Sequence, residues 1–363
     1  MLWSWLFTTQ NVMPRLYVRF YKPSDLTLTS HHIMSLLEYT QTALSALPEP
    51  AQALLRNPTA QKTLAGVGAF LLARAANQFL SRCAHQNWTV NSAWKADAEL
   101  VLLTGGTSGI GKQVMEDLSK QGVRVIILDI NEPNFTLPSN VSFYKANITN
   151  SADIAAVAKT IRENHGDPTV LINNAGVGHD GSILEEPESK IRQTFEVNTI
   201  SHFLMVKEFL PAMVKANHGH VVTVASMASF VALGEMVDYC CSKVSALAFH
   251  EGLRQELRHW YNAPNVRTSV IHPLWVRTPM ITMLTDQGSN FKQPIMTPQV
   301  VADAICKQIL TQRSGQILLP KSQSIASVVR AMPFWLQEAV RTHASGDLRK
   351  MRVAQAQAEA VKK

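Results

Sequence analysis

Cysteine is scarce in this sequence. The chain of 363 residues holds four of them: Cys83, Cys240, Cys241 and Cys306. So few cysteines, two of them adjacent, argue against a disulfide framework and favour free thiols in a reducing compartment. The Cys-x-x-Cys and histidine-rich spacings of metal sites are also missing, so we expect no structural zinc and no other metal.

Charge is sparse as well, and it is unevenly placed. Only 17% of the residues are charged and 46% are hydrophobic, which excludes general disorder and allows one large domain or two medium ones. Residues 1–95 and residues 321–363 each carry a net charge of +5, and the segment between them carries −3. Basic, apolar ends favour an anionic membrane surface as partner. Nucleic acid, for which no motif is present, and merely solvated ends are the alternatives.

Long apolar runs are missing too. The start, Met1–Phe7, is rich in Trp and Leu but has no basic residue before it, which fits an interfacial anchor better than a secretory signal. The uncharged run from Leu64 to Ala73 is about half as long as the ~20 residues a membrane span needs. It leaves three alternatives: a tilted span extended to Leu80, a helix lying in the membrane interface, or a helix packed on the domain.

From about residue 99 the sequence alternates between strand and helix patterns. Short apolar runs predict buried parallel strands at Leu100–Thr104, Val123–Leu128, Val170–Asn173, Val221–Ala225 and Val266–Ile271. Helical patterns lie between them, over 109–121, 151–164, 188–215 and 237–260. This alternation predicts an α/β fold with a doubly wound parallel sheet. We expect a catalytic domain over 96–320, a helical N-terminal region over 1–95 and a basic amphipathic extension over 321–363.

The C-terminal extension has a helical pattern with a break. Apolar residues from Ile325 to Val340 follow helical spacing, and Pro333 is expected to kink or divide that helix. Residues 344–363 are expected to be a polar, fraying tail.

A glycine-rich turn stands between the first strand and the first helix. Its sequence is Thr104-Gly105-Gly106-Thr107-Ser108-Gly109-Ile110-Gly111. Glycines let the backbone approach a pyrophosphate, and the following helix offers free N–H groups to phosphate. The turn therefore predicts a dinucleotide site.

Asp129 ends the second predicted strand. A carboxylate there accepts hydrogen bonds from the adenosine ribose and repels a 2′-phosphate, so we expect NAD, with NADP as the alternative. Asn147 and the segment Asn173-Asn174-Ala175-Gly176 close the next two strands, at the sheet edge where ligands bind in such folds.

Tyr239 and Lys243 stand four residues apart, one helical turn, and Ser226 ends the strand before them. A phenol has a pKa near 10, so a nearby ammonium must stabilise its phenolate before it can exchange protons with an alcohol. We expect Tyr239 to be the general acid and base, Ser226 to orient the reacting oxygen and Lys243 to lower the pKa of Tyr239. Asn198 is expected to hold a water that relays protons to Lys243. Ser229 is a second hydroxyl, less favoured because it does not end the strand.

Together these motifs resemble the short-chain dehydrogenase/reductase family, in its single-domain Rossmann form. The match runs in order and spacing through residues 100–280. The segments Asn87–Thr89, Val224–Phe230 and Val237–Cys240 are similar to the membrane-associated branch of retinol and 17-beta-hydroxysteroid dehydrogenases. The resemblance implies that Pro273, Val276 and Thr278 also meet the cofactor, and that dimers are common. It departs at Leu274, where the family has glycine, and at Asn147, where it has aspartate.

The resemblance implies an oxidoreductase that interconverts a lipophilic alcohol and its ketone or aldehyde, on a steroid, retinoid, fatty or polyketide-like substrate. Apolar residues after the sixth strand suit such a substrate. They are Leu274, Trp275, Met280, Ile281, Met283, Leu284, Phe291, Ile295 and Met296. We expect the protein on the cytoplasmic side of the endoplasmic reticulum or on lipid droplets. The alternative function is a catalytically weak, dinucleotide-binding scaffold at such a surface.

Overall fold

The computed structural model of the protein describes residues 48–90, 94–281 and 293–362. The expected anchor at Met1–Phe7, and Met283, Leu284 and Phe291 of the expected substrate segment, lie outside the described residues. Contacts between Cα atoms divide the chain into two units, one ending at Phe79 and the other beginning at Leu80. The domain boundaries expected at residues 95 and 320 stay predictions.

The first unit contains helix α1 (Glu49–Arg56) and most of helix α2 (Pro58–His85). The uncharged run Leu64–Ala73 lies inside α2, and no residue of α2 is buried. Phe70 is 66% exposed and Leu72 is 73% exposed. Within the described ranges, no helix is both long and apolar enough to cross a membrane.

The second unit is built on a seven-stranded sheet in the order β3-β2-β1-β4-β5-β6-β9, in which every neighbouring pair is parallel. The strands are β1 (Leu100–Thr104), β2 (Arg124–Asp129), β3 (Val141–Lys145), β4 (Val170–Asn173), β5 (Gly219–Val224), β6 (Val266–Pro273) and β9 (Gly315–Leu319). Two short strands, β7 (Trp275–Val276) and β8 (Ile295–Met296), pair separately. The prediction of a doubly wound parallel sheet is confirmed.

The strands read as continuous apolar runs because both faces of the sheet are covered. Neighbouring side chains alternate between the two faces, so Leu102 and Leu103 of β1 belong to separate hydrophobic clusters. Both are fully buried. Burial of a leucine contributes roughly 1.5–3 kcal/mol, so two such layers hold the carboxyl ends of the strands firmly in register.

Helices cover both faces of the sheet. They are α3 (Gly109–Lys120), α4 (Ser151–His165), α5 (Glu188–Phe195), α6 (Ser201–Ala216), α7 (Val237–His259) and α8 (Pro298–Leu310). The single helix expected over 188–215 is interrupted, because a π-helical turn (Glu196–Ile200) separates α5 from α6. Such turns are rare and concentrate at functional sites. Asn198 lies in this one.

The C-terminal extension begins with a 3₁₀ helix (Lys321–Ala331) and continues as α9 (Phe334–Lys362). Pro333 lies between the two, as expected, because proline is favoured at a helix start and breaks a helix interior. The tail expected to fray is different: α9 continues to Lys362. Its middle residues, such as Ser345 and Arg352, make contacts with the domain that the polar sequence did not reveal.

Candidate active site

The glycine turn joins β1 to α3 and has the backbone that only glycine readily adopts. Gly105 and Gly109 have φ of 69° and 53°, in the left-handed region. A Cβ on Gly111 would lie 2.1 Å from the oxygen of Gly105, so no side chain fits there. Ser108 precedes the helix in an extended conformation, and its side chain makes no capping hydrogen bond to the first turn. The first turn of α3 is thus left to an outside acceptor such as a phosphate.

Asp129 lies beside this turn, at the end of the neighbouring strand β2. One of its carboxylate oxygens accepts hydrogen bonds from the backbone nitrogen of Thr107 at 3.2 Å and from the Thr107 hydroxyl at 2.7 Å. Its other oxygen accepts from the backbone nitrogen of Asn131 at 3.0 Å. The carboxylate is therefore fixed where an adenosine ribose would reach it.

Asn174 ties the end of β4 to the same turn. Its amide nitrogen donates to the backbone oxygens of Thr104 and Gly105, each at 3.0 Å. The backbone nitrogen of Ala175 donates to the hydroxyl of Thr104 at 3.1 Å. Asn147 stands apart from this network: it is exposed, and its side-chain oxygen accepts from the backbone and hydroxyl of Thr149.

Tyr239 and Lys243 lie on the first turns of α7, with the Lys243 nitrogen 5.6 Å from the centre of the Tyr239 ring. Protein atoms crowd the Tyr239 hydroxyl, and this burial raises its pKa to about 12, against the lowering effect of a hydrogen bond with Ser226. Burial also lowers the pKa of Lys243 to about 8. In the protein alone, burial therefore outweighs any lowering of the Tyr239 pKa. The Lys243 amine donates to the backbone oxygen of Val224, at 3.0 Å. The expected lowering of the Tyr239 pKa by Lys243 together with a nicotinamide stays a prediction.

The two candidate serines differ in what they contact. The Ser226 hydroxyl accepts from the backbone nitrogen of Ala228 at 3.2 Å and donates a long bond to Pro273 at 3.4 Å. The Ser229 hydroxyl donates to the backbone oxygen of Lys243 at 2.7 Å, so it serves the start of α7. Of the two, Ser226 is the one beside the Tyr239 phenol.

Asn198 is fully buried and held from three sides. Its amide accepts from the nitrogen and donates to the oxygen of Val177, at 2.9 and 2.8 Å, and donates to the Ser242 hydroxyl at 3.0 Å. A Cβ on Gly176 would lie 3.3 Å from the Asn198 oxygen and 3.5 Å from the Lys243 nitrogen. Asn198 and Lys243 thus pack closely against the same face of Gly176, which has no side chain to separate them.

The segment after β6 reaches back to the glycine turn. A Cβ on Gly109 would lie 3.0 Å from the methyl group of Thr278, and Val276 is buried under the segment. Leu274 donates its backbone N–H to Leu319 and packs its side chain on the core, so the glycine expected there is replaced without loss of the turn. These contacts bring Val276 and Thr278 to the same edge as the glycine turn.

Sequence reasoning missed two residues of this site. Ser242 donates to the backbone oxygen of Tyr239 at 2.7 Å and accepts from Asn198, and its only signal was its place between the tyrosine and the lysine. His272 is fully buried, contacts the backbone oxygen of Ser226 through Nδ1 at 3.0 Å, and has its pKa lowered to about 4 by burial. A neutral His272 thus supports the strand end that carries Pro273.

The arrangement fits a nicotinamide dinucleotide. The uncapped helix start and Asp129 stand at one end for the pyrophosphate and ribose. At the other end, Gly176 lies beside Lys243, near the phenol and the serine hydroxyl. The phenol, the amine and the hydroxyls are groups suited to move a proton to or from a bound oxygen.

Comparisons with known proteins agree with this geometry. The model of the family "short chain dehydrogenase" matches residues 99–288. Dehydrogenase RED2 of Cochliobolus heterostrophus is 38% identical, over 62% of this chain and 88% of the relative. Estradiol 17-beta-dehydrogenase 11 of Macaca fascicularis is 34% identical, over 65% of this chain and 79% of the relative.

The fold recurs in solved structures. The 3-ketoacyl-(acyl-carrier-protein) reductase from Brucella melitensis, complexed with NADH, has a TM-score of 0.55 at 20% identity. The match covers 61% of this chain and 96% of that one. At this identity the likeness concerns the fold alone.

Proposed function

Because the chain belongs to the short-chain dehydrogenase/reductase family, and is therefore a dinucleotide-dependent oxidoreductase of alcohols and carbonyl compounds, we propose that it acts on a lipophilic alcohol or the matching ketone or aldehyde through Ser226, Tyr239, Lys243 and Asn198. The observation that supports this proposal is that a crowded phenol, a desolvated amine and a serine hydroxyl lie close together near Gly176.

The bound dinucleotide supplies the hydride acceptor or donor. In alcohol oxidation, Tyr239 takes the proton of the substrate hydroxyl, and in carbonyl reduction it returns a proton to the carbonyl oxygen. Ser226 donates to that oxygen and orients it. The high pKa of Tyr239 in the protein alone means that its phenolate needs added positive charge, which a protonated Lys243 and the oxidised cofactor supply together.

Asn198 is proposed to keep the proton path open. Its contacts with Val177 and Ser242 hold its side-chain oxygen beside Gly176, and the Lys243 nitrogen lies close to the same glycine. A water that accepts from Lys243 and donates to Asn198 would form the relay.

For the cofactor we propose NAD rather than NADP. The carboxylate of Asp129 is held by two hydrogen bonds from Thr107, so it cannot turn away from a 2′-phosphate without losing both. A fixed negative charge at that point disfavours a second one. Gly105, Thr107, Ser108, Gly109, Ile110, Gly111, Asn147, Asn174, Ala175, Gly176, Pro273, Val276 and Thr278 are the further residues proposed to line the cofactor site.

A lipophilic substrate is supported by the apolar groups around Tyr239. The Met280 sulfur would lie 3.5 Å from a Cβ on Gly178, and the ring of Tyr239 would lie 3.2 Å from it. Met280 is 46% exposed, an adaptable apolar wall beside the phenol. The relative named an estradiol dehydrogenase makes a steroid alcohol a first candidate for this chain.

The test is turnover of the full-length protein with NAD⁺ and NADP⁺ against estradiol, all-trans-retinol and 1-dodecanol presented in detergent micelles. We expect reduced dinucleotide to form with at least one alcohol, and faster with NAD⁺. Dinucleotide binding without turnover of any alcohol or of the matching carbonyls would instead favour the scaffold function.

We further propose that the protein acts at a membrane or lipid-droplet surface facing the cytoplasm. Support comes from α2, whose apolar side chains are exposed between basic residues: Phe70 and Leu72 lie between Lys62 and Arg74. A helix of this kind lies in the interface, where apolar side chains enter lipid and cations face anionic headgroups. A homodimer remains compatible with this placement.

A further inference from the structure

The polar C-terminal helix α9 contacts both loops that border Tyr239. From this we propose that Arg352 of α9 is a positioning residue for substrate: it joins the β4 loop (residues 174–187) to the β5 loop (residues 230–236), and so fixes the width of the substrate cleft. The inference rests on the proposed function, because the cleft concerned is the one beside Tyr239.

Both loops touch Tyr239 or its neighbour on α7. In the β4 loop, Gly178 packs so closely on the Tyr239 ring that a Cβ would lie 3.2 Å from it. In the β5 loop, the backbone nitrogen of Leu233 donates to the Cys240 sulfur at 3.4 Å. The loops meet where the nitrogen of Gly181 donates to the oxygen of Glu235 at 2.9 Å. A shift of either loop therefore changes the wall of the substrate cleft beside Tyr239.

Arg352 binds one carboxylate on each loop. One guanidinium nitrogen donates to Glu185 of the β4 loop at 2.8 Å, and the other donates to Glu235 of the β5 loop. The planar guanidinium presents its donors in a fixed fork, so it sets the spacing of two acceptors in a way that a flexible ammonium does not. Arg352 thus acts as one bridge between two segments, rather than as an isolated surface pair.

Each acceptor is itself held in place. Glu185 accepts from the backbone nitrogen and hydroxyl of Ser182, at 3.3 and 2.8 Å, and these bonds, followed by Arg352, lower its pKa. Glu235 has a φ of 67°, an uncommon conformation for a residue with a side chain, and its carboxylate is directed at Arg352. Glu235 therefore keeps an unfavourable backbone conformation while its carboxylate contacts Arg352.

A second contact orients the helix. The backbone nitrogen of Gly234 donates to the Ser345 hydroxyl at 3.1 Å, two turns before Arg352 on α9. The same helix therefore touches the β5 loop at two points and the β4 loop at one. The dinucleotide end has no part in these contacts, since Asp129 and the glycine turn lie on β1, β2 and α3.

The experiment compares Arg352→Ala and Arg352→Lys with Arg349→Ala in the full-length protein. Arg349 is an exposed arginine on the same helix, and within the described residues it makes no hydrogen bond or ion pair. Steady-state kinetics would use whichever alcohol of the estradiol, retinol and dodecanol panel turns over fastest. Fluorescence titration would give the affinity for NADH, and hydrogen–deuterium exchange would follow both loops.

We expect Arg352→Ala to raise the KM for the alcohol about tenfold, with a smaller change in kcat, because a misplaced wall weakens substrate positioning. The affinity for NADH should stay the same, and exchange should quicken in both loops together. Arg352→Lys should recover only part of the effect, and Arg349→Ala should behave as the unaltered protein. Exchanging the charges, in the double variant Arg352→Glu with Glu235→Arg, should restore part of the slow exchange in the β5 loop.

Unchanged exchange in both loops of Arg352→Ala would overturn the proposal, as would an equal loss of substrate and NADH affinity, which points to general unfolding. The exchange result does not depend on turnover. If no alcohol reacts, the proposed function fails while the bridge by Arg352 is still decided.

Discussion

Lys243 donates from its side-chain nitrogen to the backbone oxygen of Val224 across 3.0 Å. Val224 ends β5, and Ser226 follows two residues later, so this bond ties the amine on α7 to the strand that presents the serine. The bond holds the amine beside Gly176, where it donates to Val224 and not to the Tyr239 oxygen. Lys243 is thus placed to influence Tyr239 through the field of its charge and to serve a proton path.

Replacing Tyr239 by Phe removes the phenol that is proposed to exchange the proton. Turnover should fall by at least about 10²–10⁴-fold, the usual contribution of a positioned acid or base. Stopped-flow or steady-state formation of NADH measures this, and titration should show retained dinucleotide affinity. Tyr261→Phe is the matched control, because Tyr261 is an exposed tyrosine whose hydroxyl donates to Glu256 at the surface. Near-normal rates in Tyr239→Phe would contradict the assignment of roles.

Replacing Asp129 by Asn removes the charge but keeps the size of the side chain. The backbone nitrogen and the hydroxyl of Thr107 both donate to one carboxylate oxygen of Asp129, and the amide oxygen of asparagine can accept both bonds. The loop should therefore stay in place while the repulsion of a 2′-phosphate is lost. We expect the preference for NAD over NADP, measured as the ratio of kcat/KM, to drop about tenfold or more, which corresponds to ~1.4 kcal/mol. Asp153→Asn, at an exposed position on α4, controls for the loss of one negative charge. An unaltered ratio in Asp129→Asn would place the discrimination elsewhere.

Lys243 predicts a dependence of stability on pH. Burial lowers its pKa in the folded protein to about 8, from an ordinary value of 10.5. Below pH 8 the Lys243 amine is protonated in both the folded and the unfolded chain, and the folded chain is destabilised by a buried ammonium. Between pH 8 and pH 10.5 the amine is protonated only in the unfolded chain, so the free energy of unfolding rises with pH.

The total rise should be about 3 kcal/mol and should be absent in Lys243→Met, which cannot titrate. Urea unfolding of both proteins from pH 7.5 to pH 10.5, taken as a difference, isolates this contribution from the other groups that titrate there. A difference that does not grow with pH would mean that the amine is charged or solvated in the fold.

Two glycines in helices of the catalytic unit should respond to alanine in opposite ways. In Gly111→Ala the new carbon would meet the Gly105 oxygen at 2.1 Å, so the glycine turn must open and NADH affinity should be lost together with stability. In Gly252→Ala, on α7, the new carbon meets nothing within 4 Å, and stability should rise by about 0.5–1 kcal/mol without change in rate. Thermal unfolding and NADH titration test both variants, and a tolerant Gly111 would show that the turn has another backbone course.

The membrane proposal is tested on α2. Leu72→Glu places a charge in the exposed apolar run and should reduce binding to vesicles of phosphatidylcholine and phosphatidylserine about tenfold, because burial of a leucine in lipid contributes roughly 1.5–3 kcal/mol. Ser81→Glu adds the same charge on the same helix outside the run, and should reduce binding far less. Equal cosedimentation of Leu72→Glu and the unaltered protein would remove α2 as the point of attachment.

The sequence by itself determined the sheet and its chemical edge. Continuous apolar runs such as Leu100–Thr104 and Val170–Asn173 form strands with the predicted bounds. A short strand that is buried on both faces needs an apolar residue at nearly every position, so its sequence is recognisable. The glycine turn and the Tyr239–Lys243 pair were readable because each needs particular residue types at fixed short spacings. Motifs of this kind can be predicted from sequence because all their residues lie within a few positions of one another.

Only the tertiary structure decided which groups hold these residues in place. The bonds of Asn198 to Val177 and Ser242, the bond from Lys243 to Val224 and the bridge by Arg352 all join residues far apart in sequence. Residues 344–363 have little apolar periodicity, so their sequence predicted a loose tail, whereas contacts with Gly234, Glu185 and Glu235 tie that helix to the domain. The energy of such a contact depends on where the partner residue lies. The partners of α9 lie on two loops that come together only after the sheet has formed.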